Sequence, residues 1–506
     1  MSDDSARYEP LLPVGTELLV VDGPVQASGY TWWRVAPTAV TLDGGVGDGW
    51  VAIADHDGTP WVSLQSAPVA GLEIVRASLE RSEGTVGQAR AGATSVNAFG
   101  LRLYRALLSD KDLGLARRGV VISPTSIALA LAMARAGARG ATAREMDEVL
   151  ATSGWGALGT ELGALEELLA GESASWTDYE GGSHVLALRI ANAAFAQDGF
   201  DIRQAYLDGI ARAFGAGLGL VDYIGATEVA RAAINDWVSR QTATRIPQLL
   251  GPTDLTTATR LVLVNAIYLK ANWLQEFDPD GTTPRRFTRA DGSTVRVPTM
   301  SRLGDQDVPL ARGDGWRATD LYYLGGQDGS TPLAMTIIVP DRLRAFERDL
   351  TPTRLRTVMG ALQAERQRLA KVTDGGQDSC GEYAYAVRLS LPRFGIDTRA
   401  TLQDLLASLG MRRATDPFGA DFSGITTEAP LYIAKVIHQA NIDVDEKGTE
   451  AAAATAVGMD VGGCTRPAPK RVVPLRVDRP FLFLVRDVRT GAIVFMGRVL
   501  DPSTRG

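Results

Sequence analysis

The chain has 506 residues, enough for two or more domains. Its net charge of −7, with 45% hydrophobic and 22% charged residues, describes an ordinary soluble protein and argues against a nucleic-acid partner. No apolar run approaches the roughly 20 residues that span a bilayer. The start, MSDDSARYEPLLPVG, has acidic residues and no long apolar stretch, so neither a signal peptide nor membrane attachment is expected, and a cytoplasmic location is.

Residues 11 to 65 hold four of the nine tryptophans: Trp32, Trp33, Trp50 and Trp61. Short alternating runs (TELLVV, YTWWRVA, GWVAI, PWVSL) are separated by Gly, Pro and Asp turns. This predicts about five short strands in a small barrel. The pattern GYTWWRV followed by GWVA resembles a bacterial SH3-like domain. That resemblance implies an aromatic groove for an extended ligand. Core filling is the simpler role for Trp50. Trp32 and Trp33 are neighbours, so strand alternation puts them on opposite faces. Residues 1–70 are read as this domain. Residues 71–92 (GLEIVRASLERSEGTVGQARAG), rich in charge and Gly, are read as a linker.

From Ser95 to Leu108, Val96, Phe99, Leu101, Leu103, Tyr104, Leu107 and Leu108 recur at helical spacing. In VVISPTSIALALAMARAGARG, Ser123 is a plausible N-cap and Pro124 sits where a helix can begin. The run Ile127 to Met133 is apolar nearly all round, which predicts a buried helix. LVLVNAIYLKANW reads as a buried strand ending at Trp273, and further strands and helices follow. The stretches from Trp176 to His184 and from Val372 to Glu382 are Gly, Asp and Ser rich and read as loops.

Chemistry-bearing residues are few. There are three histidines, His56, His184 and His438, none near a G-x-S-x-G elbow. Neither H-E-x-x-H nor G-x-x-x-x-G-K-[ST] occurs. The two cysteines, Cys380 and Cys464, make neither a disulfide framework nor a metal cluster, although a single bridge between them stays open. No cofactor, no metal and no catalytic turnover are expected.

The stretch Glu446 to Val461, EKGTEAAAATAVGMDV, is organised differently. Gly448 permits backbone angles that other residues resist. As a strand, it would put Thr449, Ala451, Ala453, Thr455 and Val457 on one face, and Glu450, Ala452, Ala454 and Ala456 on the other. Taken alone, the alanines favour a short helix. The flanks reverse that. LYIAKVIHQANIDVDEKGTEAAAATAV and VDRPFLFLVRDVRTGAIVFMGRVLDP together resemble the serpin family, at the hinge, the reactive-centre loop and the C-terminal strands. The resemblance extends back through VVISPTSIALALAMARAGARG to about residue 93.

The resemblance implies a mixed α/β serpin fold over residues 93–506, with a large central β-sheet, eight or nine helices and a reactive-centre loop at about 446–478. It implies an inhibitor rather than an enzyme. A serine protease attacks the loop, forms its acyl-enzyme, and is trapped when the cut loop inserts into the sheet. Thr449 to Val461 would span about 43 Å as a strand, the length of a full central strand. No bulky, charged or Pro residue lies on the inner face from Thr449 to Val457, which favours inhibition over a non-inhibitory relative. A binding module led by the SH3-like part is the other reading. Ser123, Ser126, Asn265 and His438 match the family's polar cluster where the sheet opens, and Trp273 its tryptophan at the top. Family spacing puts the cleaved bond at Gly462–Gly463. Cys464, in the loop and expected as a free thiol, ranks second, ahead of Met459 and Arg466. Small residues there favour a subtilisin-like or elastase-like target. A monomer is expected.

Overall fold

The computed structural model describes residues 18–27, 30–37, 49–52, 71–111, 113–177, 183–304, 308–326, 329–371, 382–449 and 468–504. The chain divides into two compact units. The smaller comprises Met1–Val69 and Ser175–His184. Its strands Leu18–Ala27, Tyr30–Pro37 and Gly49–Ala52 form an antiparallel sheet with Tyr30–Pro37 in the middle. Three of the expected strands are therefore described; Trp61 lies outside the described residues.

Among the described residues the larger unit has four sheets, the smallest being the parallel pair Glu382–Tyr383 and Ala468–Pro469, and nine α-helices. Along its central sheet the order is Phe394–Thr401, Lys435–Val444, Gly448–Thr449, Leu261–Asn272, Ser183–Gln197, Leu218–Val221 and Glu73–Val75. A six-stranded sheet includes Trp316–Tyr322, Leu333–Pro340 and the C-terminal pair Phe481–Asp487 and Ile493–Val499. A four-stranded sheet runs Thr283–Thr288, Thr294–Gly304, Ala386–Pro392, Val472–Arg476.

The central sheet is covered on both faces, which explains why LVLVNAIYL at its centre is buried throughout and apolar but for Asn265. Val262, Val264, Ala266 and Ile437 pack with Ile234 and Val238 of helix Thr227–Gln241. The opposite face meets helix Pro124–Gly137, every residue of which is buried. That helix starts as its sequence predicts: the Ser123 hydroxyl accepts from Ser126 N at 3.1 Å, and Pro124 fills the first turn, where a missing N–H costs nothing.

The stretch read as a linker is built into the fold. Glu73–Val75 adds to the edge of the central sheet against Leu218–Val221. The first long helix runs Val86–Ser109, nine residues earlier than the apolar spacing from Ser95 indicates. Thr85 and Gln88 close a capping box there, each side chain accepting from the other's backbone N–H. In the stretch read as a Gly-rich loop, strand Ala174–Thr177 ends and Ser183–Gln197 begins, with residues 178–182 outside the described set.

Candidate functional site: a wedge in the central sheet

Two neighbouring strands of the sheet are parallel and only partly zipped. Lys435–Ala440 pairs with Val262–Ile267. Beyond that point the chain turns at Asp445 and comes back as the two-residue strand Gly448–Thr449. Thr449 pairs with Val444 on one side and with Ala271 on the other. This short strand therefore sits between the two longer strands as a wedge. Among the described residues, no pairing joins Asn441–Asp443 to Tyr268–Lys270 below it.

Each part of the wedge is anchored. The Asp445 carboxylate accepts from Lys447 N at 2.9 Å and Gly448 N at 3.2 Å, which closes the turn. Gly448 is required by space: a Cβ there would lie 2.0 Å from the Ala271 carbonyl oxygen. Trp273, 1% exposed, donates its Nε1–H to the Asp445 carbonyl at 3.0 Å and stacks on Tyr323 with ring centroids 4.5 Å apart. The Tyr323 and Thr449 hydroxyls share a buried hydrogen bond of 2.7 Å. Glu446, 4% exposed, takes bonds from Arg393 Nε to both oxygens at 2.8 Å and one from the Thr282 hydroxyl. Burial alone would raise the Glu446 carboxyl, but these donors outweigh it and hold it below the ordinary value.

Below the wedge, at the zipped pairs, lies a second buried group. His438 is fully buried and stands opposite Asn265. Its Nε2 accepts from Ser123 N at 3.1 Å, so the ring carries its proton on Nδ1 and donates it to Asn265 Oδ1. Burial pushes the His438 pKa down to about 3, so the ring is neutral at physiological pH. Asn265 Nδ2 has no partner among the described residues.

The four residues of the sequence-predicted cluster are linked in a chain: Ser126 N donates to the Ser123 hydroxyl, Ser123 N to His438, and His438 to Asn265. Trp273 sits at the top of the wedge. The Ser126 hydroxyl donates outside the cluster, to Asn192 Oδ1 at 2.8 Å. Asn192 was missed; it pairs in register with Asn265, and its signal is a lone amide in the apolar run LRIANAAFA. Arg393, Thr282 and Tyr323 were also missed. Glu446, Gly448 and Thr449 belong to the wedge. Residues Glu450 to Val457, Met459, Gly462, Gly463, Cys464 and Arg466 lie outside the described residues, as does Cys380.

Comparison with known proteins gives the family. The family model "Serpin (serine protease inhibitor)" matches residues 94–502. The chain is 33% identical to an uncharacterized serpin-like protein of Thermococcus kodakarensis, over 82% of this chain and 87% of the other. It is 31% identical to the leukocyte elastase inhibitor of Xenopus tropicalis, over 80% and 97%. The crystal structure of native tengpin, a thermophilic serpin, superposes with a TM-score of 0.64 at 23% identity, covering 84% of this chain and 97% of tengpin. The chain belongs to the serpin family, a family of serine protease inhibitors.

Proposed function

We propose that this protein inhibits a serine protease as a suicide substrate, trapping the acyl-enzyme when the cut loop extends the wedge into a full central strand. The observation that carries the reading is register. Thr449 joins Val444 to Ala271, and these two residues have the same offset as the zipped pairs from Lys435–Val262 to Ala440–Ile267. A strand continuing from Thr449 therefore stays in phase with both neighbours. Ala453 would stand between Ala440 and Ile267, and Thr455 between His438 and Asn265. Thr449 is buried on the core face, so alternation sends Ala451, Ala453, Thr455 and Val457 there as well. The small residues fit because the face is already filled by His438, Ala440 and Ile442. Insertion breaks one ladder of six residue pairs and forms two longer ones.

The cleaved bond in this reading is Gly462–Gly463, and its small residues suit an elastase-like or subtilisin-like enzyme. Residues 1–70 are read as an SH3-like domain for an extended ligand. The test is incubation with subtilisin, elastase and trypsin, followed by denaturing gels and mass spectrometry. A complex that survives boiling in SDS, with a new N-terminus at Gly463, is expected. Loop cleavage with full protease activity retained contradicts the reading.

A further inference from the structure

The four-stranded sheet exposes a patch at odds with the acidic chain around it. Leu303, Arg388 and Pro474 stand side by side across three strands, with Ser301, Ser390 and Arg476 as the next row. Arg285 reaches over from the fourth strand and donates to the Ser390 hydroxyl at 3.0 Å. Arg476 stands opposite Ser390 in register and Arg388 two residues before it on the same strand, so the three arginines share one face of the sheet. All three arginines are exposed. The nearby cations Arg393, Lys470 and Arg479 are paired with Glu446, Glu382 and Asp478. Among the described residues, Arg285, Arg388 and Arg476 pair with no carboxylate. Leu303 is 49% and Val472 44% exposed, and both lie on the same face.

Exposed arginines interleaved with aliphatic side chains are the composition of a protein-docking surface. A polyanion site would call for a longer track of cations without the apolar residues. Position names the partner. Val472 follows the loop so closely that an enzyme engaged at Gly462–Gly463 is held within roughly 30 Å of it, less than the width of a protease domain. We propose that Arg285, Arg388 and Arg476, with Leu303, Val472 and Pro474, form a second docking surface for the target protease, one that selects an enzyme with an acidic surface beside its active site. The proposal rests on the loop being the protease's point of attack.

The experiment uses the full chain and one probe enzyme, subtilisin, in native and lysine-succinylated forms, each normalised to its activity on a small peptide substrate. The rate of loop attack is read on denaturing gels, counting complex and cleaved protein together. Succinylated subtilisin is expected to react about 10-fold faster than native at low salt, with the advantage vanishing at high salt. In R285E/R388E/R476E the preference should disappear while melting temperature and inhibition stoichiometry stay unchanged. Equal rates for the two enzyme forms, or a preference kept by the triple variant, overturns the proposal. So does binding of dextran sulfate that depends on the three arginines without any succinylation preference, which would make the patch a polyanion site. If the loop is cut but no complex forms, the inhibitor reading fails, yet the same rate comparison still decides the docking surface.

Discussion

Replacing Thr449 by arginine tests the wedge where its chemistry is best defined. Thr449 is 1% exposed, held between Val444 and Ala271, with its hydroxyl on Tyr323. The site has room for a short side chain and no carboxylate partner in its hydrogen bonds. An arginine there buries an unpaired cation at a cost of several kcal/mol, and it also strands the Tyr323 hydroxyl, worth about 1–3 kcal/mol. The native protein escapes both costs by letting Gly448–Thr449 withdraw, which gives up only two residues of pairing. The inserting loop has no such escape, because the first inward position must be passed before any other residue can follow. Each 1.36 kcal/mol in a barrier is a factor of ten in rate, so even about 3 kcal/mol felt early in insertion slows it roughly 100-fold. Deacylation then wins, and Thr449→Arg should be cut as a substrate. Thr449→Val, which exchanges the hydroxyl for a methyl group and adds no charge, should remain an inhibitor. The assay is inhibition stoichiometry by titration of active-site-calibrated subtilisin or elastase. A stoichiometry for Thr449→Arg equal to that of the unsubstituted protein would refute the register and the mechanism with it.

Gly448→Ala should raise the stoichiometry and expel the wedge, because its Cβ would meet the Ala271 carbonyl at 2.0 Å; loss of amide-exchange protection at Thr449 would report the expulsion, and retained protection would contradict it. The His438 ring, with its pKa depressed to about 3 by burial, contributes stability that is full above its unfolded value near 6.5 and is lost as pH falls toward 3. Between pH 6.5 and pH 5 that loss is about 2 kcal/mol. His438→Gln should therefore flatten the pH dependence of denaturant unfolding over this range, and an unchanged slope would mean that the ring already titrates in the native state.

Local signals in the sequence were reliable where local chemistry decides. The Ser123–Pro124 start of the buried helix is legible because cap and first-turn proline act within four residues. Thr85–Gln88 carried an equally local capping signature, yet Gly and charge around it suggested a linker. Strand Glu73–Val75 was not legible. Three residues carry no periodicity, and their approach depends on Gly217, just before the partner strand, where a Cβ would lie 2.6 Å from the Val75 carbonyl oxygen. For the alanines after Gly448, which lie outside the described residues, propensity alone points to a helix, and only the flanking segments, far longer and more specific, point to a strand; the described part, Gly448–Thr449, is a strand. The site residues missed have a common cause. Arg393 and Thr282 reach Glu446, Tyr323 reaches Thr449, and Ser126 reaches Asn192, all across large sequence separations fixed by sheet register rather than by spacing.

The central claim is that the sheet is unfinished until the loop enters it. Nicking an exposed loop in an ordinary domain leaves stability unchanged or lowers it. Here the freed strand would gain two ladders of hydrogen bonds, each net bond contributing about 0.5–1.5 kcal/mol, and would cover the gap between Asn441–Asp443 and Tyr268–Lys270. The direct measurement is thermal unfolding of the intact protein and of protein cut between Val461 and Arg466, under identical conditions. The account predicts a large rise in melting temperature for the cut protein. Equal melting temperatures, with the cut verified by mass spectrometry, would contradict it.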